Sequence, residues 1–381
     1  MKATISIQTP VHTGSGQEWQ RNFDYLYFVE EHAVVVTEEE NVFAKIGQVN
    51  LQNWIKAIDQ GEDLLPHFRK WSTPPLSAAD LGSKVLKVSG QAPGMTKTIR
   101  AQQAGGAGRP FLAGSSIKGA IRTAILTMLI DRHDHTGGGF VKNKNNLINR
   151  RNQFSDALIV RKFLGKDPNH DVFRLLQVGD AHFDLTACYQ TIVINYHQDN
   201  WQEKKEVQQH IEALVPETQA TFDLKFNQPL QQLAARRRVS GGWGRDPYFL
   251  FQATQAGVEA LRPEDLLGHL KTHTRILIED ELVFLEKEGS PAALATYENS
   301  LLEMKEKTMQ CKENEAIFRM GWGTGFRNMT GDWQESFMDP RDYRKLKEGS
   351  RKKNYPDWMF FPKSRRMTYD GQALGFVKII L

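Results

Sequence analysis

The chain has 381 residues, of which 40% are hydrophobic, and it contains two cysteines, Cys188 and Cys311. This length predicts two domains with substantial cores. The cysteines lie far apart and lack Cys-x-x-Cys spacing, which excludes a disulfide framework and a cysteine zinc site. No apolar run reaches membrane-spanning length and the first residues lack an apolar signal core, so we expect a cytoplasmic protein that contacts no membrane.

The net charge of +4 is unevenly distributed. Residues 142–166 and 341–366 are rich in lysine and arginine, whereas residues 279–316 hold ten acidic residues against four basic ones. Separate basic segments indicate a polyanionic partner. The acidic segment leaves open another interpretation, a scaffold that binds chiefly protein.

Strand patterns dominate the first part of the chain. Residues 2–10 alternate apolar and polar side chains, and short strands are predicted at 25–29 and 33–36. Early strands and later helices predict an α+β fold. A strand after residue 216 restarts the pattern, which predicts domains over 1–215 and 216–381. Further predicted elements are helical patches at 42–46 and 51–58, strands over 172–185, 187–196, 220–226 and 374–381, an amphipathic helix over 200–214, and helices over 229–238, 246–261, 263–270 and 292–316.

Residues 109–128 are predicted to lead from a loop into a buried helix. Pro110 and Gly114 interrupt the regular backbone, and Ser115 or Ser116 is a natural N-cap. Apolar residues then recur at helical spacing.

Two basic residues flank the apolar face of this predicted helix. Lys118 and Arg122 lie one turn apart beside the exposed amides of the first turn, a combination that favours anions such as phosphate. A nucleotide-binding P-loop is excluded because Lys118 precedes Gly119, whereas that motif needs glycine before lysine. The alternative is an ordinary capped helix whose lysine and arginine are solvated.

Glycine-rich loops occur near both ends of the chain. Gly14 and Gly16 follow the first strand and permit a backbone to approach a ligand closely. In residues 321–327, three glycines alternate with Trp322, Thr324 and Phe326. An aromatic ring in such a loop can stack on a base, although a place in the core is an equally good interpretation of Trp322.

Arginines accompany these glycines and aromatic residues. Arg319 and Arg327 bracket the C-terminal loop and can hold phosphates. Similar combinations recur at 236–245 and in Ser364-Arg365-Arg366. This repetition favours single-stranded nucleic acid as the ligand.

The order of these motifs resembles the RAMP superfamily of CRISPR proteins. The first strand ends in Thr-Pro-Val-His-Thr-Gly-Ser-Gly, followed by Asp-Tyr, Ala-Gly-Ser-Ser-Ile-Lys-Gly-Ala-Ile-Arg, Gly-Trp-Gly-Thr-Gly-Phe-Arg, and Ser-Arg-Arg before a Leu-Gly-Phe-Val-Lys strand. Within the superfamily, the chain is most similar to the family of the fifth subunit of type III-A (Csm) effector complexes. One departure is Ala113, which stands where the superfamily commonly has proline and leaves the entry to the helix less fixed.

The resemblance implies two ferredoxin-like, RRM-related domains with glycine-rich loops and inserted helices. It implies an RNA-binding subunit that caps the 3′ region of the CRISPR RNA and contributes to its maturation in antiviral defence. The implied partners are that RNA, a neighbouring backbone RAMP subunit, other Csm subunits and host nucleases, with no cofactor. The predicted RNA-binding residues are Gly14, Gly16, Gly114, Ser115, Ser116, Lys118, Gly119, Arg122, Arg319, Gly321, Trp322, Gly323, Gly325, Arg327, Arg365 and Arg366.

Catalysis is the main alternative. His12 lies beside a glycine turn and, with Lys118, could supply a general base and a cation, so a metal-independent endoribonuclease that processes precursor CRISPR RNA stays open. A histidine in such a turn more often contacts backbone or phosphate, and we expect a non-catalytic subunit. Asp24 is the acid nearest to the region linked to target cleavage in the backbone subunit, but it begins a predicted strand, and that activity is not transferred.

Two groups of histidines are candidate metal ligands. His269 and His273 have i, i+4 spacing but lack the glutamate of a His-Glu-x-x-His site, and His133-Asp134-His135 lies in a predicted loop. We expect no metal site at either position.

Overall fold

The structure is a computed structural model. It describes residues 1–72, 76–94, 97–135, 139, 143–147, 155–165, 167, 170–197, 200–229, 259–330 and 364–381. The helices predicted over 229–238 and 246–261, the glycine and arginine element at 236–245 and most of the basic segment 341–366 lie wholly or largely outside these residues, as does part of the basic segment 142–166.

Strands and α-helices are numbered separately in chain order. The strands are β1 (Lys2–Ile7), β2 (Gly14–Gln20), β3 (Tyr25–Phe28), β4 (Ala33–Val36), β5 (Lys84–Ser89), β6 (Thr98–Gln102), β7 (Phe111–Leu112), β8 (Leu176–Val178), β9 (Ala181–His182), β10 (Thr186–His197), β11 (Asn200–Glu203), β12 (Gln209–Leu214), β13 (Gln219–Phe226), β14 (Glu315–Arg319), β15 (Ser364–Thr368) and β16 (Phe376–Ile380). The helices are α1 (Glu39–Ile46), α2 (Leu51–Asp59), α3 (Leu64–Trp71), α4 (Gly114–His135), α5 (Ala157–Phe163), α6 (Pro263–Lys287), α7 (Ala295–Met309) and α8 (Phe326–Thr330).

Five strands form an antiparallel sheet in the order β14-β16-β1-β13-β8. In β1, buried Ala3, Ile5 and Ile7 alternate with more exposed residues, because successive side chains of a strand point to opposite faces. Residues of α4 and α6, such as Ile121 and Leu270, share one apolar cluster with this buried face. Apart from the inserted β16, the arrangement of β1, α4, β8, β13, α6 and β14 is ferredoxin-like.

The second sheet is mixed and curved. Its strands follow the order β2-β6-β12-β10-β5-β4-β3, and the second half of β10 pairs with β11 and β15. A bridge between Arg21 and Tyr25 connects the two ends of this path. The sheet therefore wraps around an apolar cluster that includes Trp19, Tyr25 and Ile99, while α1, α2 and α3 cover the opposite face of β3, β4 and β5.

The predicted α+β class, the helix after residue 114 and the strands over 220–226 and 374–381 are confirmed. The helix predicted over 200–214 is wrong, because this segment forms β11, a short 3-10 turn and β12. Strand β12 lies between β6 and β10, and its Ile211 and Leu214 are fully buried. Pairing and burial at the centre of a sheet outweigh the helix propensity of the lysine, glutamate and glutamine residues here.

The later helices differ in extent from the predictions. The helix predicted over 263–270 continues to Lys287 as α6, and the one predicted over 292–316 is divided into α7 and β14. No helix in the described ranges is long and apolar enough to cross a bilayer.

The predicted domain boundary near residue 215 falls between β12 and β13. Strands from both sides of this boundary share sheets, since β1 pairs with β13 and β16, and β15 pairs with β10. The division into domains 1–215 and 216–381 stays a prediction.

Candidate nucleic-acid interface

The first residue of α4 is enclosed by the protein. The Gly114 amide donates a hydrogen bond to Asp180 Oδ1 at 2.7 Å. A Cβ atom on Gly114 would lie 2.1 Å from the carbonyl oxygen of Val178, so only glycine allows this close packing. The positive end of the helix therefore already holds a carboxylate of the same chain, at the place where the sequence predicted a phosphate.

The basic residues of the first turns of α4 differ in their surroundings. Arg122 forms a double contact with Asp171, at 2.9 and 2.7 Å, and its guanidinium lies 5.2 Å from the centre of the Phe173 ring. Lys118 is half-buried, and this burial lowers the pKa of its ammonium group despite the opposing effect of Asp171. The charge of Arg122 is thus compensated inside the protein, whereas Lys118 forms no ion pair among the described residues.

The exposed surface of α4 beside these residues is small and polar. Ser115 and Gly119 are exposed and Ser116 is half-buried. A Cβ atom on Gly119 would have no atom within 4 Å. A ligand could approach the backbone of α4 closely at this glycine.

The N-terminal glycine loop, residues 12–16, includes the irregular first residues of β2 and lies over the end of β12. The His12 side chain is 2% exposed, and its Nδ1 donates a hydrogen bond to the Glu212 carbonyl oxygen at 2.6 Å. Burial lowers the pKa of His12, although Glu212 partly opposes this effect. The imidazole is therefore neutral near pH 7 and covered by the protein, while Gly16, with a φ of +87° and open space at its Cβ position, lies at the surface.

A buried carboxylate anchors this loop from below. The Glu212 side chain is fully buried, and its oxygens accept hydrogen bonds from Lys84 Nζ at 2.9 Å, Thr186 Oγ1 at 2.8 Å and the Gln102 amide at 2.8 Å. The Gln102 side chain in turn bonds to the backbone amide and hydroxyl of Thr13. These bonds fix the loop to β6 and β12.

The C-terminal glycine loop, residues 321–325, packs directly on the first one. Gly321, Gly323 and Gly325 have φ angles of +91°, +83° and +91°, which L residues with side chains rarely adopt. The Trp322 amide donates to the His12 carbonyl oxygen at 2.8 Å. A Cβ atom on Gly321 would lie 2.7 Å from the same oxygen, whereas one on Gly325 would meet nothing within 4 Å. The lack of a side chain at Gly321 thus allows the two loops to pack together, whereas the backbone at Gly325 is open to a ligand.

Two of the predicted RNA-binding arginines are buried in the protein. Arg319 is 9% exposed, and its Nε donates to the Leu374 carbonyl oxygen at 2.7 Å. Arg365 is 4% exposed and forms a double ion pair with Glu281, at 2.6 and 2.9 Å. Burial raises the pKa of Glu281, but Arg365 and the nearby Arg319 and Arg327 outweigh it, so that the pKa lies below its usual value. Arg319 therefore connects β14 to the segment before β16, Arg365 connects β15 to α6, and neither offers its charge at the surface.

Arg366 points to the other face of β15, because side chains alternate along a strand. Its guanidinium lies 4.3 Å from the centre of the Trp322 ring, and Arg100 lies 5.2 Å from the same ring. Sequence reasoning missed Arg100, since it stands in β6 without a glycine or aromatic residue next to it. The two arginines border an open groove of about 470 Å³, which we call the arginine groove; it is lined by Lys97, Thr98, Arg100, Gln208, Gln209, Trp322 and Arg366, with Glu206 and Val207 at the same site.

The three glycine-bearing segments lie side by side. The loops 12–16 and 321–325 are joined through His12 and Trp322. The short helix α8 follows the second loop and reaches α4, where Thr123 Oγ1 donates to the Met329 carbonyl oxygen at 3.2 Å. The structure thus brings Gly16, Gly119 and Gly325 to neighbouring parts of one surface, although the motifs are far apart in sequence.

The histidine groups do not form a metal centre in the described residues. His133, Asp134 and His135 belong to the last turn of α4, so the loop predicted there is wrong. His273 of α6 is buried, which lowers its pKa to about 4. No cluster of three or more histidine, cysteine, aspartate or glutamate side chains suited to a metal ion occurs in the part of the chain that the structure describes.

A ferredoxin-like sheet with glycine-rich loops gathered on one side defines an α+β protein of the RRM-related class. The sequence matches the family model of the RAMP superfamily over residues 4–328. The chain belongs to this superfamily, which confirms the predicted resemblance. No curated protein matches the sequence.

Two solved structures share this fold. One is a chain in the cryo-EM structure of a Csm–crRNA–target RNA ternary complex of a type III-A CRISPR-Cas system, with a TM-score of 0.70, 18% identity and full coverage of both chains. The other is the crystal structure of T. onnurineus Csm5, with a TM-score of 0.66, 16% identity, and coverage of 99% of this chain and 100% of that one. Both likenesses show that this chain shares its fold with these two chains.

Proposed function

We propose that this chain is an RNA-binding subunit of a type III-A CRISPR (Csm) complex that caps the 3′ end of the CRISPR RNA and contributes to its maturation in antiviral defence. The observation that carries the proposal is the gathering of loop 12–16, loop 321–325 and the first turns of α4 on one surface. Its partners are then the CRISPR RNA, the neighbouring backbone RAMP subunit and other Csm subunits.

Backbone exposure and positive charge together suit this surface to a nucleic-acid strand. Gly16, Gly119 and Gly325 leave open space where other residues carry a Cβ atom, so a sugar-phosphate backbone can approach their amides closely. Lys118 and Arg366 supply charge beside them without an ion pair in the described residues, and phosphate contacts of this kind provide most of the affinity for single strands.

The predicted RNA-binding residues divide into two groups in this proposal. Those with open space or uncompensated charge at the surface contact the RNA, whereas those already enclosed or engaged by the protein hold the contact residues in place. The proposed contact residues are Gly16, Ser115, Lys118, Gly119, Gly325 and Arg366, and the proposed supporting residues are Gly14, Gly114, Ser116, Arg122, Arg319, Gly321, Trp322, Gly323, Arg327 and Arg365.

The geometry favours binding over the alternative of RNA cleavage by His12. A general base must reach the 2′-hydroxyl that it deprotonates. His12 is 2% exposed, its Nδ1 is held by the Glu212 carbonyl, and Trp322 packs against it edge to face at 5.8 Å. The ring would have to leave this position before it could act on RNA.

A truncation series of the CRISPR RNA tests the proposal. We expect the purified protein to bind labelled CRISPR RNA less tightly when nucleotides are removed from the 3′ end, and with unchanged affinity when the same number is removed from the 5′ end. In assembled Csm complexes that carry a Lys118→Ala, Arg366→Ala chain, sequencing of the RNA should show altered 3′ ends. Equal losses from both truncations, or unchanged 3′ ends, would contradict the proposal.

Two controls accompany this experiment. Lys2→Ala removes an exposed lysine that pairs with Asp223 on the five-stranded sheet, and it should change neither affinity nor RNA length. His12→Ala addresses cleavage, since reproducible cutting of precursor RNA that disappears in this variant would favour the endoribonuclease.

A further inference from the structure

We propose that Arg100 and Arg366 together hold one backbone phosphate of the bound strand in the arginine groove, and that Trp322 is the platform that positions them. This inference rests on the proposed RNA-binding function and adds a ligand chemistry to one part of the surface. It also changes the role of Trp322, for which the sequence left two interpretations open, stacking on a base or a place in the core.

The ring of Trp322 already contacts both cationic and apolar groups of the protein. The guanidinium groups of Arg366 and Arg100 lie over it at 4.3 and 5.2 Å from its centre. The indole also packs against an apolar cluster made of Tyr189, Ile211, Ala213 and Leu374. A stacked base would have to displace either the arginines or this packing.

The glycine loop is shaped to accommodate Arg366. A Cβ atom on Gly323 would lie 3.1 Å from Arg366 Cδ and 2.9 Å from Leu374 Cδ1. Gly323 therefore gives the arginine side chain room to extend along the loop. Two further bonds fix the guanidinium, from Arg366 Nη1 to Thr191 Oγ1 at 3.1 Å and to the Val207 carbonyl oxygen at 3.2 Å.

The positive charge in the groove is only partly compensated. Arg100 has one carboxylate partner, Glu18, with 3.3 Å between Nε and Oε1. Arg366 forms no ion pair with any described residue, and its two hydrogen bonds go to neutral acceptors. Burial and the neighbouring charge of Arg100 lower the pKa of Arg366 to about 10, so the group stays protonated at pH 7 but would gain from an anion.

A phosphodiester is the anion that this arrangement fits. Guanidinium groups are planar, carry several donors and bind phosphate oxygens through paired hydrogen bonds. Lys97, Thr98, Gln208 and Gln209 line other parts of the groove, with Glu206 as the one acidic residue among its described lining residues and Val207 beside it. The flanking sugar and neighbouring phosphates therefore meet mainly polar groups. Because the site contacts the backbone, we expect it to bind without preference for the base.

Salt titration of binding separates a shared phosphate from two independent contacts. For single strands, the slope of log affinity against log salt falls by about 0.7 for each lost phosphate contact. Arg100→Ala, Arg366→Ala and the double variant should each lower this slope by about 0.7 and weaken binding by about ten-fold or more. If the slope of the double variant falls by twice this amount, the two arginines bind different phosphates, and the proposal of one shared phosphate is wrong.

Chemical changes in the RNA test the role of Trp322. With oligouridine and oligoadenosine probes of equal length, Trp322→Leu should weaken binding equally, because the ring stacks on arginines. A larger loss for oligoadenosine would overturn the inference, since purines stack more strongly than pyrimidines on an aromatic ring. In a series of probes with single neutral methylphosphonate linkages, one linkage should weaken wild-type binding and leave the Arg366→Ala variant unaffected.

The controls keep failure of the two proposals distinct. Lys2→Ala should retain the wild-type slope, and thermal unfolding followed by circular dichroism should show that each variant is folded. Arg366→Lys keeps the charge but loses the planar fork, and should lose affinity while staying folded. Wild-type protein that does not bind single-stranded RNA would overturn the proposed function, whereas binding with an unchanged slope in Arg100→Ala and Arg366→Ala would overturn only the phosphate site.

Discussion

The first turns of α4 and the arginine groove carry similar residues but use their charges differently. At α4, Asp180 occupies the helix start and Asp171 pairs with Arg122. In the groove, Arg366 lies over Trp322 and forms no ion pair with a described residue. A basic motif is therefore available to a ligand only where no carboxylate from elsewhere in the chain compensates it.

Adjacent Arg365 and Arg366 show this contrast within one strand. Arg365 faces α6 and pairs with Glu281, whereas Arg366 faces the groove. We expect Arg365→Ala to lower the free energy of unfolding by about 3–5 kcal/mol, because it leaves the buried Glu281 carboxylate without its main partner. Urea unfolding measures this loss, and RNA affinity per folded molecule should not change.

The opposite result is expected for the neighbouring residue. Arg366→Ala should weaken RNA binding strongly and affect unfolding much less. If Arg365→Ala weakens binding while its unfolding stays at the wild-type level, the division into a structural and a binding arginine is wrong.

Gly114 and Gly119 offer a second contrast, within one helix. Gly114→Ala should destabilise the protein by about 2–3 kcal/mol, because its Cβ would overlap the Val178 backbone. Gly119→Ala should stabilise it by about 0.5–1 kcal/mol, since alanine favours a helix and nothing obstructs its Cβ. Thermal unfolding compares the two variants.

The RNA affinity of the Gly119→Ala variant then tests whether the RNA backbone contacts α4 at this glycine. A protein that is more stable but binds RNA less tightly would support a close approach of the RNA backbone to Gly119. Unchanged affinity would remove Gly119 from the proposed contact residues.

The ion pair of Glu281 also predicts a dependence on pH. Its pKa is lower in the folded state than in the unfolded state, so its contribution to stability is complete above the unfolded value of about 4.3. This contribution is lost as the pH falls through the folded-state pKa. The difference in unfolding free energy between wild type and Glu281→Gln should therefore be constant from pH 7 to pH 5 and shrink at lower pH.

The smallest expected effect is the difference in RNA affinity between alanine variants of Lys118 and Arg122, the two basic residues in the first turns of α4. Lys118→Ala should weaken RNA binding by about 1 kcal/mol, as expected for one lost charged contact, and leave the fold intact. Arg122→Ala should have less effect on binding, because Asp171 already compensates its charge. Fluorescence anisotropy at low salt compares them, and a larger loss for Arg122→Ala would reverse the assignment of contact and support.

Local sequence patterns predicted much of the fold. The apolar spacing after residue 114 indicated α4, and the alternation near both ends of the chain indicated β1 and β16. The segment 200–214 was mistaken for a helix because its propensity is local, whereas its pairing partners β6 and β10 come from distant positions. The insertion of β16 between β14 and β1 likewise depends on long-range contacts that no local pattern contains.

For the site, the sequence indicated which segments matter but not how each side chain is used. The glycine loops were recognised because positive φ angles and close approach require glycine. The ion pairs were not recognised, because the partners are distant in sequence. Asp171 lies about 50 positions from Arg122, and Glu281 lies about 80 positions from Arg365. Arg100 carried no local signal, since an arginine in a strand is ordinary until Trp322 is placed beside it.

The position of β16 has a consequence for how the protein is made. Strand β1 leaves the ribosome long before β16, but one of its edges is paired only when β16 has been synthesised. The Gly375 amide, next to β16, donates to the Pro10 carbonyl oxygen at 2.9 Å, and the Phe376 amide donates to Thr9 Oγ1. Translation must therefore reach β16 before the loop at His12 takes its shape, so a nascent chain that lacks β16 cannot capture RNA in this way.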